Sequence, residues 1–218
     1  MRHNKVDYAA FNTDLELPYG LDVDAFALAM QSVYDFFYHV NRALVRAGSA
    51  RLEDHVPKAT LSGVISSLLT NSLGQQSTTL TPNRKHNGHP GLVPDGLYPG
   101  NSIQSGTDGI HIKSTSGKSA AVDRHNARHE TTCVVQYVID SSDAAPDRRE
   151  PMTITKVSFN RVRPEDYVFS PRGVKGTDTY RLSEEAAQQL QANWLYRLDS
   201  GRGRKAASLG IAPSAKLK

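Results

Sequence analysis

The stretch that most constrains this chain is Cys133-Val134-Val135-Gln136-Tyr137-Val138-Ile139, in which only Gln136 is strongly polar. A strand with one wet face carries polar side chains at every second position, whereas a short run that is apolar nearly throughout predicts a strand covered on both faces. Such a strand needs a sheet with a layer packed on each side, which excludes helix bundles and open, one-sided sheets. Cys133, the single cysteine, sits in this run, so it reads as a small buried hydrophobe, and an internal disulfide is ruled out.

Two helices precede this strand. Phe26, Met30, Val33, Phe37, Val40 and Leu44 recur at spacings of three and four, with Asp22 or Asp24 available to cap the start and Gly48 to end the helix. Leu61, Val64, Ile65, Leu68, Leu69 and Leu73 form a second stripe, with Pro57 near its beginning and Gly74 expected just past its end. Gly, Pro, Asn, Ser and Thr dominate from Gln75 to Gly109, which reads as loops and short strands. The run TDGIHIKST then alternates, setting Ile110 and Ile112 on one side and His111 and Lys113 on the other. AAVDRHNARHE reads as a short helix, Asp140 to Glu150 as a solvated loop, and MTITKVSFNRV as a further strand. Ser183 with Glu184 and Glu185 opens a last helix carrying Leu190, Trp194 and Leu198. The order predicts an α/β or α+β fold, a central mixed sheet flanked by helices, in one domain over residues 1–200. Residues 201–218 are expected to form a disordered basic tail.

Charge sharpens the functional expectation. The chain has 26 Lys and Arg against 22 Asp and Glu, a net charge of +4. Arg202, Arg204, Lys205, Lys216 and Lys218 stand in the tail without an acid, so the body is close to neutral and its local distribution decides. Between Arg84 and His129 lie five of the eight histidines and six cations, among them Arg84, Lys85, Lys118, Arg124 and Arg128, against three aspartates. This pattern suits phosphate contacts and points to a nucleic-acid partner. No apolar run approaches the roughly 20 residues of a membrane span, and the first twenty residues lack the apolar core of a secretory signal, so an intracellular, cytoplasmic protein is expected. Signatures of phosphate loops, dinucleotide-binding glycine motifs, zinc ribbons and nucleophile elbows are missing.

The stretch VPDGLYPGNSIQSGTDGIHIKST, with Pro94-Asp95 followed by His111-Ile112-Lys113, resembles the core of the PD-(D/E)xK nuclease superfamily, the restriction-endonuclease-like fold. The resemblance covers about residues 50 to 140 and extends to the helix and buried strand expected after the motif. It implies a metal-dependent DNA endonuclease, often dimeric. Asp95 would be a metal ligand, Lys113 the catalytic lysine and His111 the residue in the place of the family's second acid. It also implies a possible acid from the preceding helix, for which Glu53 is the candidate.

The chemistry behind such a motif is general. Phosphodiester hydrolysis uses a hard cation, usually Mg²⁺, to neutralise phosphate charge and activate water, and hard cations prefer carboxylate oxygens. A lysine two residues from a ligand points the same way and can stabilise developing charge. His111 breaks the pattern, because imidazole suits Mn²⁺ or Zn²⁺ better than Mg²⁺. Three consequences stay open: Asp108, Glu53 or Glu130 supplies the second acid, the metal is softer, or the protein is an inactive DNA-binding or accessory relative. A rival constellation is His125 and His129, one helical turn apart, suited to a zinc or HNH-like site.

Overall fold

The computed structural model describes residues 1–116, 129–170 and 179–198. Lys118, Arg124, His125 and Arg128, the expected helix that carries them and the tail from residue 201 lie outside the described residues. The ordered elements are α1 (Val23–Arg46), α2 (Leu52–His55), α3 (Lys58–Gln76), β1 (Leu80–Pro82), β2 (Leu92–Pro94), β3 (Ile110–Thr115), β4 (Glu130–Val138), β5 (Thr153–Val162), β6 (Tyr167–Ser170), β7 (Thr179–Leu182), α4 (Glu184–Ala192) and β8 (Trp194–Arg197).

Six strands make a mixed sheet in the order β1-β2-β3-β4-β5-β8, with β3 and β4 parallel and the other neighbours antiparallel. The apolar run becomes β4, near the middle, where Cys133, Val134, Val135 and Tyr137 are all buried. Burial pushes the Cys133 thiol far above its ordinary range, which keeps it protonated. One face of the sheet packs against α1 and α3, through Phe26, Met30, Ile65 and Leu69 on the helices and Ile110, Ile112, Cys133 and Val135 on the strands. The opposite face holds a smaller cluster of Val134, Val162, Tyr167, Leu182 and Leu190, brought by α4 and the separate two-stranded β6–β7 ribbon.

Local signals hold where chemistry is local. Asp22 caps α1, its carboxylate accepting from the Ala25 N–H at 2.6 Å. Gly48 follows α1 with φ +77°, the conformation that favours glycine. Gly74 lies inside α3, where a Cβ would stand 2.4 Å from Pro82, so glycine is there for close helix–strand approach and not as a terminator. The last helix is shorter than its stripe suggests: it stops at Ala192, and Trp194 joins β8, whose Leu195 and Tyr196 are buried at the sheet's end. Closing the edge of β5 outweighs the continuation of an amphipathic pattern. No helix among the described residues is long and apolar enough to cross a membrane.

Candidate functional site

Strand β3 meets β2 at a single pair, Leu92↔Ile110. From His111 onward its second neighbour, among the described residues, is α3, across a cleft of about 680 Å³. The helix turns two different faces to its surroundings. Leu61, Ile65, Leu69 and Leu73 enter the core, while Ser62, Ser66, Ser67, Thr70 and Asn71 line the cleft. Ser66 Oγ lies 2.7 Å from Ser114 Oγ and accepts from the Ser114 N–H at 3.0 Å, so the helix takes over part of the hydrogen bonding that a neighbouring strand would supply.

The loop from Asn83 to Gly91 forms the rim. Asn83 organises it: its amide donates to the carbonyls of Pro90 (2.9 Å) and Ile103 (2.8 Å), and its oxygen accepts from the N–H groups of Lys85 (3.0 Å) and Ile103 (3.1 Å). A Cβ on Gly88 would meet Ile103 O at 2.5 Å, so this close turn requires glycine. Arg84, Lys85 and His86 are exposed on the loop, beside the cleft-lining Asn83, Gly88 and His89.

His111 and Lys113 stand two residues apart on the face of β3 opposite Ile110 and Ile112, both half-buried and both bordering the cleft. The His89 ring lies 4.4 Å from that of His111, centroid to centroid. His89 Nε2 bonds the carboxylate of Glu130, which is 1% exposed at the start of β4. The same carboxylate accepts from Thr132 Oγ1 at 2.7 Å and from the Tyr167 hydroxyl at 3.5 Å. Glu130 is therefore a buried acid whose lone pairs are engaged, and it fixes one imidazole of the cleft wall.

The residues expected to act together do not all meet. Asp95 lies just past β2, exposed, its N–H donating to Thr79 O at 2.9 Å and its carboxylate accepting from Asn101 Nδ2 at 2.7 Å. Because β2 and β3 run antiparallel through Leu92↔Ile110, each step from Leu92 toward Asp95 leads away from Lys113. Gly91, one residue before that single pair, also lines the cleft. Asp95 is thus a turn residue, as Pro-Asp-Gly chemistry favours, and not a partner of Lys113.

Glu53 is also placed elsewhere. Its carboxylate is fully buried, 3.6 Å from Arg51 Nη1, and accepts from Asn41 Nδ2 at 2.8 Å, between α1 and α2. Asp108 bonds Thr107 Oγ1 at 3.0 Å and borders a different hollow of about 610 Å³ with Tyr19, Asn160 and Arg161. His129 is exposed, immediately before β4, and its proposed partner His125 lies outside the described residues.

A hard cation is poorly matched by this donor set. Among the described residues, the cleft lining offers imidazoles, an ammonium group, hydroxyls and amides, but no carboxylate. No group of three or more His, Cys, Asp or Glu side chains is arranged to hold a metal ion among the described residues. His89 was counted among the histidines of the segment without a role of its own, and Gly91 and the Ser62/Ser66/Thr70 row escaped sequence reasoning. The fourfold spacing of the hydroxyl residues on a helix already recognised was the available signal. No protein-family model and no curated protein sequence matches this chain.

Proposed function

We propose that the chain is a nucleic-acid-binding module, an accessory relative of the nuclease fold it resembles, in which the α3–β3 cleft holds sugar-phosphate backbone, DNA in the first instance, without hydrolysing it. The observation that carries this reading is the composition of the cleft: Lys113, His89 and His111 with a row of hydroxyl and amide groups, Arg84 and Lys85 on the rim, and no lining carboxylate among the described residues. Hydroxyls, amides and cations are the groups that contact phosphate oxygens, and a wall without carboxylates does not repel them. Lys113 supplies the central charge, His89 is fixed by Glu130, and Arg84 and Lys85 extend the contact outward.

A metal-dependent endonuclease is the second reading. It is favoured by the pairing of His111 and Lys113 on one face of β3, both bordering the cleft, with β4 parallel beside it. It requires a cation held without a lining carboxylate, and therefore Mn²⁺ in preference to Mg²⁺. One experiment separates the two. Supercoiled plasmid is incubated with the protein and either Mg²⁺ or Mn²⁺, and the same DNA is run in a mobility-shift series at low salt. The proposed function predicts retarded but intact plasmid, with retardation weakened by Lys113→Ala. Nicking that disappears in Lys113→Ala establishes the second reading, and no retardation at any concentration up to about 100 μM, the weak end of nonspecific binding, overturns both.

A further inference from the structure

The polar groups that α3 sets along the cleft fall into two sets, and the fold itself uses only one. Ser62 and Ser66 are engaged: Ser62 Oγ lies 2.8 Å from the Tyr137 hydroxyl, and Ser66 is tied to Ser114. Ser67, Thr70 and Asn71, which share a helix face by their spacing of three and four, also line the cleft, yet their side chains make no hydrogen bond among the described residues. Ser67 and Asn71 are exposed and Thr70 is half-buried. Thr70 stands against bare backbone on the far side of the cleft, since a Cβ on Gly91 would lie 3.5 Å from its Cγ2 and 3.6 Å from its Oγ1. Gly63, one helical turn before Ser67, would carry a Cβ into open space, so the helix wall is low beside this set.

The two sides of the cleft differ in what they offer a ligand. Strand β3 and the loop from Asn83 to Gly91 bring the Lys113 ammonium and the imidazoles of His89 and His111, which suit phosphate. The unengaged groups of α3 are uncharged, and each carries an acceptor oxygen beside its donor. A DNA backbone consists of acceptors only, so it leaves those acceptor oxygens to water. The 2′-hydroxyl of RNA is the one donor that a sugar-phosphate backbone carries, and it accepts as well. No Phe, Tyr or Trp lines the cleft among the described residues, so bases find no aromatic surface to stack on and the sugar is the part of the ligand left to be read.

We propose that Ser67, Thr70 and Asn71 read the 2′-hydroxyl, so that the cleft holds RNA in preference to DNA of the same sequence. The proposal rests on the nucleic-acid reading of the cleft and names the kind of nucleic acid. With phosphates on the cationic side, riboses turn their 2′-hydroxyls toward α3, where they donate to Oγ or Oδ1 and accept from a hydroxyl or amide.

The test titrates fluorescein-labelled oligo(U), oligo(dU) and 2′-O-methyl oligo(U) of equal length with the full chain at one fixed salt concentration, followed by anisotropy. The methylated strand keeps the 2′-oxygen and loses its proton. Oligo(U) is expected to bind about tenfold tighter than either of the others, the effect of one or two net hydrogen bonds. Thr70→Val combined with Asn71→Ala is expected to remove most of that preference while oligo(dU) binding changes less than about twofold, whereas Lys113→Ala weakens all three ligands alike. Circular dichroism controls for folding. Equal affinity for the three strands, 2′-O-methyl oligo(U) bound as tightly as oligo(U), or a preference untouched by the double substitution overturns the 2′-hydroxyl reader while leaving the cleft reading intact. Failure of the unsubstituted chain to bind any of the three overturns the cleft reading itself.

Discussion

Two regions of this molecule bury an acidic side chain that the sequence offers as a possible metal ligand, and they use it in opposite ways. At α2, Glu53 is closed in with Arg51 and Asn41. Arg51, 1% exposed, also donates to the carbonyls of Pro146 at 2.6 Å, Glu150 at 2.7 Å and Arg149, whose own guanidinium forks onto Asp54. Every cation in this network faces an anion or a carbonyl, and the result pins the 146–150 loop to the helical layer. At β4, Glu130 answers an imidazole that lines a cleft, beside which stand Lys113 and the exposed rim residues Arg84 and Lys85, with no carboxylate in the lining described. Balanced buried charge reads as scaffold, whereas accumulated charge of one sign beside a cleft reads as a place for a ligand.

The contrast is broken most strongly at the scaffold. Arg51→Ala leaves Glu53 buried without its partner and three carbonyls without a donor, and is expected to cost about 3–5 kcal/mol, measured as a lowered urea midpoint. Arg84→Ala on the cleft rim is expected to stay within about 0.5 kcal/mol of the parent in the same assay. Equal losses in the two variants would erase the distinction.

A gain of function sharpens the other side. Gly91 lies one residue before the single β2–β3 pair and lines the cleft with His111, and a Cβ there would meet only Thr70 at 3.5 Å, ordinary contact, so an acid fits without rebuilding the strand. The double substitution Gly91→Asp with His111→Glu gives the cleft the carboxylate pair that a hard cation requires. Isothermal titration with Mn²⁺ and Mg²⁺ is expected to show saturable binding in the double variant and none at the cleft of the parent. Binding of equal strength in both would mean that the existing donors already suffice.

A smaller effect is expected from acid. The Asp54 carboxyl is held below its ordinary value of 3.8, first by the hydrogen bonds from Arg149 and then by the Arg51 backbone N–H and the nearby guanidinium charges, which together outweigh burial. Its folded-state pKa being depressed, its contribution is complete above pH 3.8 and is lost as the pH falls through the lower folded value. Asp54→Asn should therefore flatten the stability profile below pH 4 and leave nucleic-acid binding at neutral pH unchanged. An unaltered acid limb in the variant would remove Asp54 from the account.

How much of this was legible in the sequence depended on how far apart the cooperating residues stand. The stripes Phe26 to Leu44 and Leu61 to Leu73 became α1 and α3, and the run from Cys133 became a strand buried on both faces, because periodicity and burial are written locally. The alternation of Ile110 to Lys113 likewise separated buried from half-buried side chains. Site assembly is a question of register between distant segments, and there the local reading gave way. Pro94-Asp95 looked like half of a catalytic motif, yet the antiparallel pairing carries it away from Lys113. His89 and Glu130 are separated by 40 intervening residues and nothing in their own neighbourhoods announces the pair. Trp194 fell on a helical stripe by chance of spacing and is claimed instead by the open edge of β5.

The most direct test of the central claim is the salt dependence of DNA binding by the parent and by Lys113→Ala, measured by anisotropy between 50 and 200 mM salt. If Lys113 contacts backbone phosphate in the cleft, log Kobs falls linearly with log salt concentration in the parent, and the slope shrinks by about one in the variant while Mn²⁺ leaves the DNA intact. An identical slope in the two proteins, or DNA cleaved by the parent and spared by the variant, would contradict a cleft that holds nucleic acid without cutting it.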